Sequence, residues 1–544
     1  MKYIKHIAFS LAAIMAFNSC DQETIELTDP QGPAPFCPAD ATAGSANFSK
    51  FVAIGTSFSA GFQSGALFTS GQNNSLPRIL ATSFECVGGP NTFNQPDIRT
   101  TYGYNIFASP NPDGTQVFGR YFLQGTPPAP APYRYPALPN ADAVGALPNP
   151  VANANFMYTG SAGSAASNAL NNFSVPAILL GQALITETGD WAGAGADPRF
   201  SPFYARFASD GGQGTKTLLG DFIGSLGNNG TFFLFWLGMD DVLLHAVYGG
   251  NSAKAPLTPV DFVSMENPGF KALYSTAIGN IVGAVPTAKG VVGNIPDVFK
   301  LPHFNLVPYN AIPLDAATAT NLTTNLANNY NAFLDGMVMN SIITQAEADK
   351  RKLTYVAGAN AILINDETLT DLSPYMAGPY AGLAPYAMAR QTTSADKIPL
   401  SAGSVLGKLA DPGNPGSALG VAVPLGDEYA LIPSEITAIN DAVTAYNAHI
   451  KSVVDANDNL AFADIHAAFN TLHGAPLHVV DGVSITPNFV PPTGFYSEEG
   501  IHPNNRGYAF LARTFVSAIN AKFGAKVPLP KLGNYSATSL PINP

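Results

Sequence analysis

Acyl transfer needs a nucleophile, a base within hydrogen-bond reach of it, and N–H donors aimed at the oxyanion that develops. Two segments near opposite ends of the 544-residue chain supply the first two groups. Ser57 lies in the small-residue turn Gly55-Thr56-Ser57-Phe58-Ser59-Ala60-Gly61, which would expose its hydroxyl. His502 lies in Glu499-Gly500-Ile501-His502-Pro503-Asn504, with a carboxylate three residues ahead of the imidazole. Each is ordinary alone. A serine in a glycine-rich turn usually only shapes the turn, and a histidine before proline usually only ends a loop. Their value depends on a fold that carries residue 502 to residue 57.

The hydropathy pattern supplies such a fold. Phe51-Val52-Ala53-Ile54 reads as a short buried strand that feeds straight into the Ser57 turn, the opening of an α/β unit. Further strand patterns cover 231–237, 290–294, 353–359 and 460–465, and the aromatic run Phe232, Phe233, Phe235, Trp236 falls inside one of them as core. Helical spacing lies between. The clearest stretch starts at Ser434, an N-cap candidate behind Pro433, with Ile436, Ile439, Val443, Tyr446, Ile450 and Val453 in one stripe. A last helix follows Pro503, with Tyr508, Leu511, Ala512, Phe515 and Ile519 on one face. Strands alternating with helices predict a mostly parallel sheet covered on both sides, with functional groups at the carboxyl ends of its strands.

Four segments, in order, resemble those of the GDSL (SGNH) hydrolases. Gly55-Thr56-Ser57-Phe58 is similar to the Gly-Asp-Ser-Leu block, and Asn172-Phe173-Ser174-Val175-Pro176-Ala177 to an Asn-Leu-Gly-Val-Pro-Gly segment. Leu237-Gly238-Met239-Asp240-Asp241 is similar to a Gly-x-Asn-Asp block, and Glu499-Gly500-Ile501-His502-Pro503 to the late Asp-x-x-His block. The stretches 290–297 and 309–313 also resemble the large GDSL lipoproteins of Bacteroidetes. The resemblance implies a flavodoxin-like three-layer α/β/α fold, mostly parallel, with long loop insertions. It further implies that Ser57 attacks an ester carbonyl while His502 takes its proton and returns it to the leaving alcohol. Glu499 would orient the imidazole, and the oxyanion would be held by the N–H groups of Ser57 and Ala177 and by the side chain at Asp240. No cofactor or metal enters that chemistry. The substrate class, a small-molecule, lipid or carbohydrate ester, is not narrowed further.

Four departures from the family pattern differ in weight. Thr56 stands for Asp beside the nucleophile, where it shapes the turn. Ala177 stands for Gly but keeps its N–H, provided the backbone angles suit a side chain. Glu499 stands for Asp and has a longer reach. Asp240 stands for Asn, and an ionised carboxylate cannot donate. About 4 Å from an oxyanion, at an effective dielectric near 20, it would repel by roughly 4 kcal/mol. Either burial keeps Asp240 neutral so that it donates a proton, or it swings away and another group serves. The alternative function is a surface binding lipoprotein on a hydrolase scaffold that has lost its activity.

The rest of the sequence sets the context. Residues 1–19 have a basic start and a short apolar run, and they lead to Cys20 as a lipoprotein signal does, although Phe17 stands where Leu is usual. That pattern predicts a bacterial envelope protein held to the outer membrane by a lipid at Cys20; an ordinary secretory signal with an incidental cysteine is the other reading. Residues 20–46 read as a polar tether, 47–525 as the hydrolase domain with a Pro- and Gly-rich insertion at about 90–155, and 526–544 as a tail. With 46% hydrophobic and 12% charged residues the body is folded, and a net charge of -12 disfavours nucleic acid. Cys37 and Cys86 are either a disulfide or two buried thiols. The spacings of His466, His473 and His478 fit no standard zinc pattern, and no phosphate loop or dinucleotide fingerprint occurs. Glu498, Glu499 and His502 could hold an ion, but the hydrolase roles account better for the last two. Nothing in the sequence sets an oligomeric state.

Overall fold

A computed structural model describes residues 37–101, 103–104, 119–124, 131–134, 158 and 170–538. The expected signal segment, Cys20, most of the tether, most of the 90–155 insertion and the last six residues lie outside the described residues.

Strands β1 (Phe51–Gly55) and β2 (Phe232–Trp236) are buried at every position. β1 pairs in parallel with β2, β2 with β3 (Lys289–Gly293) and β3 with β4 (Leu460–Ala463). Strands covered on both faces can be continuous apolar runs, which is why Phe-Phe-Leu-Phe-Trp shows no alternation. Beside β1, on the side away from β2, runs the extended segment 171–175. Ala53 N–H donates to Asn171 O, Phe173 N–H to Ala53 O and Val175 N–H to Gly55 O.

Eight helices matter for the site: α1 (Ser57–Ala60), α2 (Leu76–Glu85), α3 (Leu218–Leu226), α4 (Asp240–Val247), α5 (Gly269–Ala284), α6 (Pro433–Asp455), α7 (Ile465–His473) and α8 (Asn505–Phe523). Adjacent strand residues point to opposite faces, and β2 shows what each face meets. The Phe235 ring lies 5.4 Å from Tyr274 of α5, whereas Trp236 lies 5.3 Å from Phe515 of α8. All five apolar residues predicted for the last helix are buried. The chain is thus mixed α/β on a four-stranded parallel sheet.

Two expectations need correction. The apolar stretch 353–359 is not a strand of the central sheet; Gly358–Asn360 pairs antiparallel with Ile312–Leu314 in a separate ribbon. Leu353 and Tyr355 are buried against Tyr330 and Phe333, in a core of their own. Hydropathy reports burial, and not which core does the burying. This region, between β3 and α6, is a second large insertion with two small cores and a buried Arg390 paired to Asp366 and Asp396. The helix near Ser434 starts one residue earlier: Pro433 takes the first turn, which its missing N–H allows, and Glu435 Oε2 accepts from Ile432 N–H at 2.9 Å. In the first insertion, Tyr121–Gln124 and Ala131–Arg134 form an antiparallel pair, so Pro132 sits in a strand where an edge position is free.

Cys37 and Cys86 are disulfide-bonded, with Cα atoms 5.1 Å apart. No helix among the described residues is long and apolar enough to cross a membrane.

Candidate active site

The carboxyl edge of the sheet carries Ser57, Ala177, Asp240, Glu499 and His502, in two corners. The first is built on the start of α8. Asn504 caps that helix by accepting from Gly507 N–H at 2.9 Å, while its amide donates to the carbonyls of Gly494, Tyr496 and Ala537. That bracing holds the 497–502 loop, where Glu499 Oε1 accepts from both His502 N–H (3.0 Å) and His502 Nδ1 (2.8 Å). Ser497 Oγ lies 3.0 Å from each Glu499 oxygen. A carboxylate partner places the imidazole proton on Nδ1 and leaves Nε2 bare, the form a general base requires. Burial pushes the Glu499 carboxyl up, but the hydrogen bonds from His502 and Ser497 outweigh it and hold the group below its ordinary value.

The His502 ring packs on the Ser57 segment. Its centroid is 4.7 Å from that of Phe58 and 4.9 Å from that of Phe62. Ser57 opens α1 directly after β1, and its carbonyl accepts from Tyr508 of α8 at 3.4 Å. Ser64 N–H donates to Ser497 Oγ (2.9 Å), Ser64 Oγ donates to Glu498, and Gln63 donates to Asn505 (2.8 Å), so the two ends of the chain are stitched together. The hydroxyl–imidazole hydrogen bond expected from the sequence is not formed: His502 Nε2 is buried without a partner. Such bonds in free enzymes are often long and tighten with substrate.

The second corner lies after β2. Gly238, at φ +103°, turns the chain so that Asp240 and Asp241 open α4 fully buried. Asp241 accepts from Leu180 N–H (2.9 Å) and Thr258 Oγ1 (2.7 Å), and burial pushes its pKa up to about 6. Asp240 is held well above the usual carboxylate range by burial and by Asp241, against one hydrogen bond from Ile178 N–H, and its Oδ2 has no partner. Both carboxyls therefore grip the 177–180 loop. Ala177 in that loop has φ +55°, the left-handed conformation that glycine adopts freely and other residues adopt at a cost of about 1–3 kcal/mol.

Sequence reasoning missed Ser497, Ser64 and His303, which are isolated polar residues without spacing. It weighed Glu498 only as an ion ligand; that carboxyl is buried, bonded to Ser64 and pushed up to about 7. The three clustered histidines do not converge. His466 Nδ1 lies 3.1 Å from Ile295 O, His473 Nε2 2.7 Å from Tyr496 Oη and His478 Nε2 2.9 Å from Leu472 O. Among the described residues, one group has ligand atoms within 4.8 Å of one another, Glu367, Asp427 and Glu435, which lies outside the two corners. Compared with known protein families, curated proteins and solved structures, the chain matches none.

Proposed function

We propose that the chain is a serine esterase of flavodoxin-like SGNH type. Counting the 171–175 segment as the second strand, the sheet order is 2-1-3-4-5, the order of flavodoxin-like sheets. The observation that carries the reading is the bare Nε2 of His502, oriented by Glu499 and packed on the ring next to Ser57. In the reaction, His502 Nε2 takes the Ser57 proton as Oγ attacks the ester carbonyl. The tetrahedral oxyanion is met by the N–H groups of Ser57 and Ala177 and by Asp240 acting as a neutral acid. Collapse breaks the ester bond, the alcohol leaves with the proton from His502, and water repeats the cycle to free the acid.

The Cys37–Cys86 disulfide suits an oxidising compartment and so supports an envelope location, while a lipid on Cys20 rests on the sequence pattern. The unmade Ser57–His502 bond favours the second reading, a binding protein on an inactive scaffold. Turnover of p-nitrophenyl acyl esters decides between them. The esterase reading expects a loss of roughly 10⁴-fold or more in Ser57→Ala, and equal rates for the variant and the wild type would end it.

A further inference from the structure

The loop after β3 sets a second imidazole against the acid–base corner. His303 N–H donates to Gly500 O at 3.0 Å, and His303 Nδ1 lies 3.2 Å from Glu499 O. Gly500 is at φ +71°, and a Cβ there would come within 2.9 Å of His303 N, so the two loops are in direct contact. A carbonyl only accepts, so Nδ1 carries the proton and Nε2 of the neutral ring is a bare acceptor. That nitrogen is buried and receives no hydrogen bond. Burial lowers the His303 pKa to about 4, with the Glu499 carbonyl and carboxylate opposing and nearby His502 adding to the fall. The ring therefore stays neutral near pH 7, able to accept at Nε2 but not to donate there.

A buried acceptor left unpaired costs about 1–3 kcal/mol, and the choice of what pairs it follows from the direction of the reaction. The leaving oxygen must lie against His502, which returns the proton to it, whereas the acyl oxygen lies by Asp240. His303 stands on the His502 side. We infer that His303 Nε2 accepts a hydrogen bond from a free hydroxyl on the alcohol half of the substrate, so that the enzyme acts on esters of polyhydric alcohols. This rests on the esterase reading of the site. A site built to pair a substrate hydroxyl discriminates against the analogue that lacks it, because the analogue leaves the acceptor unpaired.

Two measurements on the full chain test it. The first compares kcat/KM for glycerol monoacetate and propyl acetate. Wild type should favour the hydroxyl-bearing ester by roughly 5- to 150-fold. His303→Phe should bring the ratio near one, and His303→Gln, whose amide can both donate to Glu499 O and accept, should restore part of it. An equal ratio in wild type and His303→Phe overturns the inference. The second follows the Nε2 resonance in ¹⁵N-histidine-labelled protein during titration with glycerol and with 1-propanol. Movement with glycerol alone is expected; a resonance that glycerol leaves in place, as when an internal water already pairs Nε2, overturns the inference. If wild type cleaves no ester at all, the esterase reading fails, and the titration by itself decides whether His303 binds a hydroxyl.

Discussion

The carboxyls that anchor the two corners of the site are satisfied to very different degrees. At the acid–base corner Glu499 is matched by His502 and Ser497, and the loop beneath is braced by Asn504. At the oxyanion corner Asp240 Oδ2 is unpartnered and Ala177 is in a conformation costly for its side chain. Folding satisfies Glu499 because its partners are all on the chain, and leaves His502 Nε2 unpaired beside it. The second corner is left incomplete, and unsatisfied groups and strained backbone tend to collect where a ligand supplies the missing interaction. On the proposed esterase reading, Glu499 holds an imidazole and Asp240 meets a developing negative charge.

That contrast can be broken from either side. Glu499→Gln removes the charge that stabilises the imidazolium and can reverse the tautomer, and should lower kcat by roughly 10²- to 10⁴-fold with little change in KM. A loss under tenfold would mean that the first corner is structural only. Asp240→Asn tests the second corner through pH. Because folding raises the Asp240 pKa, the neutral acid contributes stability at pH values below its unfolded pKa, and that contribution is lost as pH rises through the folded value. Its role as a donor is lost over the same rise. Wild-type activity and stability should therefore fall together on the alkaline side, and Asp240→Asn should hold both, with a gain of about 10- to 100-fold in kcat at the highest pH tested. Parallel pH profiles for the two proteins would exclude Asp240 as a neutral donor. The smallest effect belongs to Ala177→Gly. Relief of the left-handed backbone, partly offset by the entropy of the unfolded glycine, should stabilise by about 0.5–1 kcal/mol in thermal melts. A destabilised variant would show that the alanine methyl packs better than it strains.

The sheet was legible because buried parallel strands are largely continuous apolar runs: 231–237 and 460–465 each contain a strand, and 290–294 overlaps one. The stretch 353–359 has the same apolar character but is buried in a separate small core, which local pattern does not distinguish. Ser57, Ala177, Asp240, Glu499 and His502 stood out through turn chemistry and motif order, and the structure gathers them at one sheet edge. Ser497 and His303 did not, because a lone residue that hydrogen-bonds across loops leaves no period to read. The conformation of Ala177 was legible only as a question: whether a residue in the place of a glycine keeps the glycine's φ is decided by the carboxyls that grip the loop, and one of them lies 61 residues beyond the backbone N–H it holds.

The nucleophile itself is tested most directly by a fluorophosphonate probe on the purified chain, with the labelled peptide mapped by mass spectrometry and Ser57→Ala as control. Covalent phosphonylation of Ser57, absent in the variant, is the predicted result. A chain that stays unlabelled at Ser57 across the pH range where it remains folded would contradict the proposal.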